Sequence, residues 1–299
     1  VTLWTPDTGP ITATGIWDGM PDEVYHADPV KGGSLSHSGS KTLLDCPERF
    51  AYEQANGRAP NRHFDVGHAA HHQVLGTGPE IVVIPFDDWR SKDAKAAVKA
   101  ARDRGAVPVK PAEMDDVRGM GRRLSRHKVA GPLFERDGVV ERSAVWLDEE
   151  FGVFLRARFD WSFVAADGVF TIVDYKSTEG KASPAKVAKA IYDFGYYTQH
   201  VFYQAGAEVC GLGDRIRFLF VFQEKNPPYI CTVAEIDDES HDWAGLAVRK
   251  AVETFARCRE RGEWPDYADD IIRASLPKYA TFELTARWRN GDFAIPEEI

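Results

Sequence analysis

Three runs starting at residue 138, GVVERSAVWLD, GVFLRARFDWSFV and GVFTIVDYKST, alternate apolar with polar residues and are rich in β-branched and aromatic side chains. EEFG and AADG, which separate them, have the composition of hairpin turns. The pattern therefore predicts a three-stranded antiparallel meander over residues 138–178. Ahead of it the period lengthens. SLSHSGSKTLLDCPERFAYEQ offers Ser residues as helix caps and an apolar stripe of Leu43, Leu44 and Phe50, with Pro47 opening a second short helix. A helix over 63–76 closes at Gly76, and EIVVIP at 80–85 reads as a short strand. Residues 91–128 read as a helical, solvated insertion, with charged helices at 91–104 and 111–128 split by GAVPVKP. After the meander come helices at 183–193 and 195–210, strands RIRFLFVFQ and YICTVAEI, and a long helix over 238–261. Residues 1–34, rich in Gly, Pro, Asp and Thr, predict an irregular arm with one short strand, and 267–299 an irregular tail. The main domain is placed at 35–266. This order predicts an α/β (α+β) sheet flanked by helices. It is not a nucleotide-binding βαβαβ series, and neither GxGxxG nor GxxxxGK[ST] occurs.

Charge narrows the function classes. The formal net charge is −9, which argues against a DNA coat protein or repressor, because duplex affinity comes largely from neutralised phosphates. An enzyme that gathers carboxylates around metal ions escapes that objection. Cys46, Cys210, Cys231 and Cys258 are well separated and form no C-x-x-C, so reduced thiols are expected rather than a disulfide framework. The N-terminal residues lack the basic start and apolar run of a signal peptide. The longest apolar run, FLFVF at 218–222, is too short to span a bilayer. A soluble cytoplasmic protein without membrane contact is expected.

The chemistry concentrates in RARFDWSFVAADGVFTIVDYKST. Asp174 and Lys176 lie two apart on one strand and share a face, and the preceding hairpin brings Asp160 alongside. Two neighbouring carboxylates repel unless a cation neutralises them, and hard oxygen ligands suit Mg²⁺ or Mn²⁺. A metal held there can polarise a phosphoryl oxygen and acidify a bound water, while the lysine orients the water or stabilises the transition state. D-x-K by itself is common, and taken alone it reads first as a surface salt bridge at the end of a hairpin.

Together with four other segments, these residues resemble the PD-(D/E)XK nuclease superfamily, and more closely the RecE-like exonucleases (exonuclease VIII and its phage relatives) and the nuclease domains of RecB and AddB. LSHSGSKTLLDCPERFAYE resembles the family's first helix. VGHAAHHQVLG resembles the Gly–three residues–His segment, which makes His71, rather than His68 or His72, the implied metal ligand. Glu141 matches an acidic position on the first core strand. Asp160, Asp174 and Lys176 match the signature, and YYTQHVFYQAG is similar to the Q-x-x-x-Y motif through Gln199 and Tyr203.

The resemblance implies a core with a central mixed sheet and two Mg²⁺ or Mn²⁺ ions. It implies His71, Asp160, Asp174 and the Tyr175 backbone carbonyl as ligands, with Glu141 as a looser member. Lys176 would serve catalysis, and Ser177, Thr178, Gln199 and Tyr203 would contact DNA or the surroundings of the metal. Arg156 and Arg158, four and two residues before Asp160, would steer phosphates or pair with nearby carboxylates. Some relatives hold an iron–sulfur cluster with one Cys near the first helix and three near the C-terminus. Cys46 fits the first position, but RGEWPDYADDIIRASLPKYA has no cysteine, so no cluster is expected.

The implied activity is 5′→3′ degradation of linear double-stranded DNA from its ends, leaving 3′ overhangs for phage-type recombination in a bacterial cell. The implied partners are a RecT-type annealing protein and further copies of the chain in a ring. A non-catalytic DNA-binding protein of the same fold, a structure-specific endonuclease and a small-molecule phosphodiesterase are the competing readings.

Overall fold

The computed structural model describes residues 1–57 and 65–293. The start of the helix predicted from residue 63 and the last part of the tail lie outside the described residues. In chain order the elements are β1 (Thr2–Leu3), β2 (Gly15–Asp18), α1 (Asp22–His26), β3 (Ser34–Ser36), α2 (His37–Asp45), α3 (Pro47–Asn56), α4 (Asp65–Leu75), β4 (Ile81–Val83), α5 (Lys92–Asp103), β5 (Val107–Val109), α6 (Pro111–Ser125), α7 (Ala130–Phe134), β6 (Val139–Asp148), β7 (Val153–Val164), β8 (Phe170–Thr178), α8 (Pro184–Asp193), α9 (Tyr196–Val209), β9 (Ile216–Glu224), β10 (Cys231–Ala234), α10 (Asp238–Arg261) and α11 (Lys278–Arg289). They fall into two compact units, Val1–Trp264 and Pro265–Ile299. The second contains α11, on which no residue is buried.

The first unit is built on an eight-stranded mixed sheet in the order β1-β2-β6-β7-β8-β9-β10, with β3 paired to β7. The meander forms as its alternation predicts: β6–β7 and β7–β8 are antiparallel. β9 lies parallel to β8 along its whole length. Residues 218–223 of β9 are all buried, because helices cover both faces of the sheet there and both sides of the strand must be removed from water. On one face Ile172, Phe218, Phe220 and Phe222 pack with Phe202, Val252 and Phe255 of α9 and α10. On the other, Val173, Tyr175 and Val221 pack with Ala70, Met120 and Leu124 of α4 and α6. Gly206 lets α9 approach the sheet, since a Cβ there would lie 2.6 Å from the Trp146 ring.

Three expectations need correction. The tail at 267–299 is not irregular throughout, because Lys278–Arg289 form the helix α11. Residues 1–34 are not an irregular arm. They supply β1, β2 and α1, and Ile11, Trp17, Met20, Tyr25 and Val30 are buried. Arg142 grips Asp18 with two hydrogen bonds of 2.8 and 2.9 Å. Strands of two to four residues contain too few alternations to announce themselves in a sequence.

The stretch 91–128 is helical as expected, but it is not a solvated insertion. GAVPVKP carries β5, which pairs with β4, and α6 buries Val117, Met120 and Leu124. These residues recur at three- and four-residue spacing, so α6 has an apolar stripe among its charges. The four thiols are free, three of them buried. Among the described residues no helix is long and apolar enough to cross a membrane.

Candidate active site

The site forms where two strands part. The β7–β8 ladder runs from Val164↔Phe170 to Trp161↔Val173 and stops; the next opposed residues are Asp160 and Asp174. Further along β7 that edge is taken by β3, through Ser34↔Phe154 to Ser36↔Arg156. β8 departs instead with β9 as far as Thr178. At the fork the Tyr175 N–H loses its ladder partner, and Asp160 Oδ2 accepts its hydrogen bond at 3.0 Å. Side-chain alternation on β7 also breaks here. Phe159 packs in the core beneath α9, whereas Trp161 packs in the core on the opposite face. Glu141, opposite Asp160 on β6, has φ +49°, a left-handed conformation that a non-glycine residue adopts at a cost of about 1–3 kcal/mol.

These distortions bring five side chains together. His71 Nε2 on α4 lies 3.2 Å from Asp160 Oδ2, and its Nδ1 lies 3.9 Å from Glu141 Oε1. One ligand atom each from His71, Glu141 and Asp160 falls within 4.8 Å of the others. Asp174, 1 % exposed, is clamped differently: Oδ1 lies 2.5 Å from Lys176 Nζ, and Oδ2 accepts a 2.5 Å hydrogen bond from Gln199 Nε2 on α9. Lys176 Nζ also sits over the Tyr196 ring, 4.7 Å from its centroid. All border or adjoin a cleft of about 320 Å³ lined by Glu141, Asp160, Lys176, Tyr196, Gln199 and Tyr203 among others.

The sequence profile of one family, described as "PDDEXK-like domain of unknown function (DUF3799)", matches residues 36–274. The chain belongs to this family. Among solved structures, a "Putative exonuclease" from Eubacterium rectale superposes with a TM-score of 0.57 at 13 % identity, covering 89 % of this chain and 98 % of its own. A second solved chain, SSO0001, reaches a TM-score of 0.28 at 11 % identity over 64 % of this chain and 84 % of its own, too weak a likeness to argue from. No curated protein sequence matches the chain. The PD-(D/E)XK nuclease fold expected from the motifs is the fold of this protein, with its mixed sheet and flanking helices.

Within this PDDEXK-like domain, the predicted residues separate into three groups. His71, Glu141 and Asp160 converge as one imidazole nitrogen and two carboxylates: the carboxylates suit a hard divalent cation such as Mg²⁺ or Mn²⁺, and the imidazole is a borderline donor beside them. Asp174 and Lys176 share a face, as their spacing requires, and sit beside that cluster. The third group is remote or otherwise engaged. Ser177 lies on the opposite face of β8, against α4 at Gly67. Thr178 Oγ1 accepts the Gly180 N–H at 3.1 Å. Of the two roles open to the arginines, the structure has them paired. Arg156 bonds Ser34 and lies 2.8 Å from Asp28, and Arg158 bonds Ser143, Met20 O and Asp22. They fasten the N-terminal segment to β7, although Arg158 still borders the cleft. Tyr203 stands behind Gln199 against Phe159 and Phe218. The His68 side chain lies outside the described residues.

Tyr196 is the residue the motif reading passed over. It precedes Gln199 by three positions and Tyr203 by seven, so the shared helix face was already written in YYTQHVFYQAG.

Electrostatics in the cluster follow from crowding acids out of water. Burial and then Asp160 push Glu141 up to about 7. Burial and Asp160 likewise raise Asp174 to about 6, although Lys176 opposes them. Burial would raise Asp160 too, but His71, Lys176 and the Tyr175 N–H outweigh it and hold it low. Burial would lower His71, yet Asp160 and Glu141 carry it to about 9. Lys176 stays protonated, since Asp174 and Asp160 overcome its desolvation. Because burial, and after it the Asp160 charge, disfavours ionised Glu141, Glu141→Gln is expected to stabilise the metal-free protein at pH 8 by roughly 1 kcal/mol, a few degrees in melting temperature. It should also shrink the further rise produced by Mg²⁺. Differential scanning fluorimetry with EDTA and with Mg²⁺ checks both signs, and a lower melting point in EDTA would count against an ionised Glu141 being costly at this position.

Proposed function

We propose that the protein is a metal-dependent exodeoxyribonuclease acting on the ends of linear double-stranded DNA in the 5′→3′ direction and leaving 3′ single-stranded overhangs. The observation that carries this reading is the convergence of His71, Glu141 and Asp160 next to the ion pair of buried Asp174 with half-buried Lys176 at the β7–β8 fork. Mg²⁺ or Mn²⁺, as two ions, would be held by His71, Glu141 and Asp160, with Asp174 and the Tyr175 carbonyl at the second position. Bound there, the ions supply Lewis-acid polarisation of the phosphate and an acidified water.

The chain's own groups do the rest. Lys176, fixed by Asp174 and by the Tyr196 ring, presents a permanent positive charge where negative charge grows on the phosphoryl oxygens. Gln199 holds the Asp174 carboxylate in one orientation from α9. The Tyr175 N–H does the same for Asp160. With an overall charge of −9, little affinity is available from a diffuse basic surface, so DNA engagement rests on the cleft and its ions. A RecT-type annealing protein would receive the overhang, and a ring of several copies would retain the duplex.

The test is linear duplex DNA labelled at the 5′ or the 3′ end, together with a covalently closed circle, incubated with Mg²⁺ or with EDTA. Rapid Mg²⁺-dependent release of the 5′ label with an intact circle is expected. Cutting of the circle would replace the exonuclease reading with an endonuclease. No loss of either label from folded protein would end the nuclease reading.

A further inference from the structure

The turn between α8 and α9 has a feature that the metal cluster does not explain. Phe194 and Gly195 form it and lead into Tyr196, the first residue of α9, and Phe194 is 59 % exposed. An exposed phenyl ring adds little to the core, yet the turn that carries it is firmly held. Lys41 Nζ on α2 donates to the Phe194 carbonyl at 2.8 Å. Gly195 has φ +67°, and a Cβ there would stand 2.8 Å from Lys41 Cδ, so the glycine makes room for that tether. The Phe194 and Tyr196 rings lie 5.6 Å apart at 37°. Tyr196 in turn lies beneath Lys176 Nζ and borders the cleft that holds Asp160. On the same two helices Tyr192 stacks on Tyr197 at 6.2 Å and 20°. A continuous aromatic surface therefore leads from the lysine at the reaction centre out to solvent.

We propose that Phe194 and Tyr196 form a stacking shelf for an unpaired nucleobase of the DNA strand whose phosphate is being cut. This deepens the nuclease reading and rests on it. The chemistry matches a nucleotide in two parts: cations and metal ligands take the phosphate, and flat rings take the base. Stacking tolerates any sequence because every base has a π-face. It also requires the base to leave the duplex, so frayed or single-stranded ends should be bound better than blunt, fully paired ends.

The experiment uses the full chain with Ca²⁺ in place of Mg²⁺ and a short single strand carrying 2-aminopurine, and beside it the same strand with an abasic site. Binding is expected to quench 2-aminopurine fluorescence. Phe194→Ala should abolish the quenching and weaken binding about 5- to 150-fold, Phe194→Trp should restore both, and the abasic strand should bind equally to all three proteins. In Mg²⁺ the alanine variant should raise KM with little change in kcat, which a merely structural residue would not do. Phe194-independent quenching and affinity in a protein that hydrolyses DNA would overturn the shelf while leaving the nuclease reading intact. Phe194-dependent quenching in a protein that never hydrolyses DNA would support the shelf and end the nuclease reading.

Discussion

Lys176→Ala is expected to cut Mg²⁺-dependent hydrolysis of linear duplex DNA by about 10²–10³-fold, the usual cost of removing one group aimed at developing charge. Lys176 contacts both the Asp174 carboxylate and the Tyr196 ring, and Asp174 and Asp160 keep it protonated. It therefore brings a positive charge to the phosphate without any proton having to move. The substitution also strips Asp174 of its neutralising partner inside the protein, and breaking a buried pair costs about 3–5 kcal/mol. Lys176→Met, which keeps the stem that packs on Tyr196, separates the two effects. Single-turnover rates with saturating enzyme, read beside melting curves, are the measurement. A folded Met variant whose rate stays within about threefold of wild type would remove Lys176 from the chemistry.

Mg²⁺ or Mn²⁺ should stabilise the protein increasingly as pH rises from about 6 to 9. The sign follows from three groups whose proton affinity is raised in the folded state. Asp174 and Glu141 sit above their ordinary values, at about 6 and about 7, so the fold loses their contribution as pH climbs through the window from the usual carboxylate range to neutrality. His71, at about 9, contributes stability that is complete below its ordinary value of 6.5 and is lost as pH passes 9. Within the cluster, the metal-free protein is thus weakest at high pH, where the acids are charged and the imidazolium no longer holds them together. An ion competes with the His71 proton for the same two carboxylates, so its affinity grows as that proton leaves. The ion-induced gain in melting temperature should therefore be larger at pH 9 than at pH 6. In His71→Ala, with the proton competitor gone, affinity should be lower and its pH dependence flatter. A gain that is flat or falls with pH in wild type would sink the assignment of His71 as a ligand.

The sequence carried a good deal of this site. The meander was legible because alternation over nine to twelve residues is a local property of an extended chain, and β6, β7 and β8 are that long. The common face of Asp174 and Lys176 follows from period two alone. The common face of Gln199 and Tyr203 follows from helical spacing, which reaches Tyr196 as well. The N-terminal strands and β5 were hidden for the converse reason: two to four residues hold no usable period, and only pairing with a longer neighbour made them strands. Burial of α6 depended in the same way on a sheet face built from residues a hundred positions away.

What the chain determined by itself is the set of reactive groups and the strands that carry them. Which of those groups meet was a tertiary decision. Spacing placed Asp160 and Asp174 side by side, and the family resemblance added Glu141 as a looser member; in the folded protein Glu141 lies with Asp160 and His71, while the Asp174 oxygens face Lys176 and Gln199. The cause is non-local. β3 claims the edge of β7, so β8 must diverge at the two aspartates. The pleat breaks there, Glu141 takes a left-handed conformation, and a helix from each side of the sheet reaches the gap with one polar side chain.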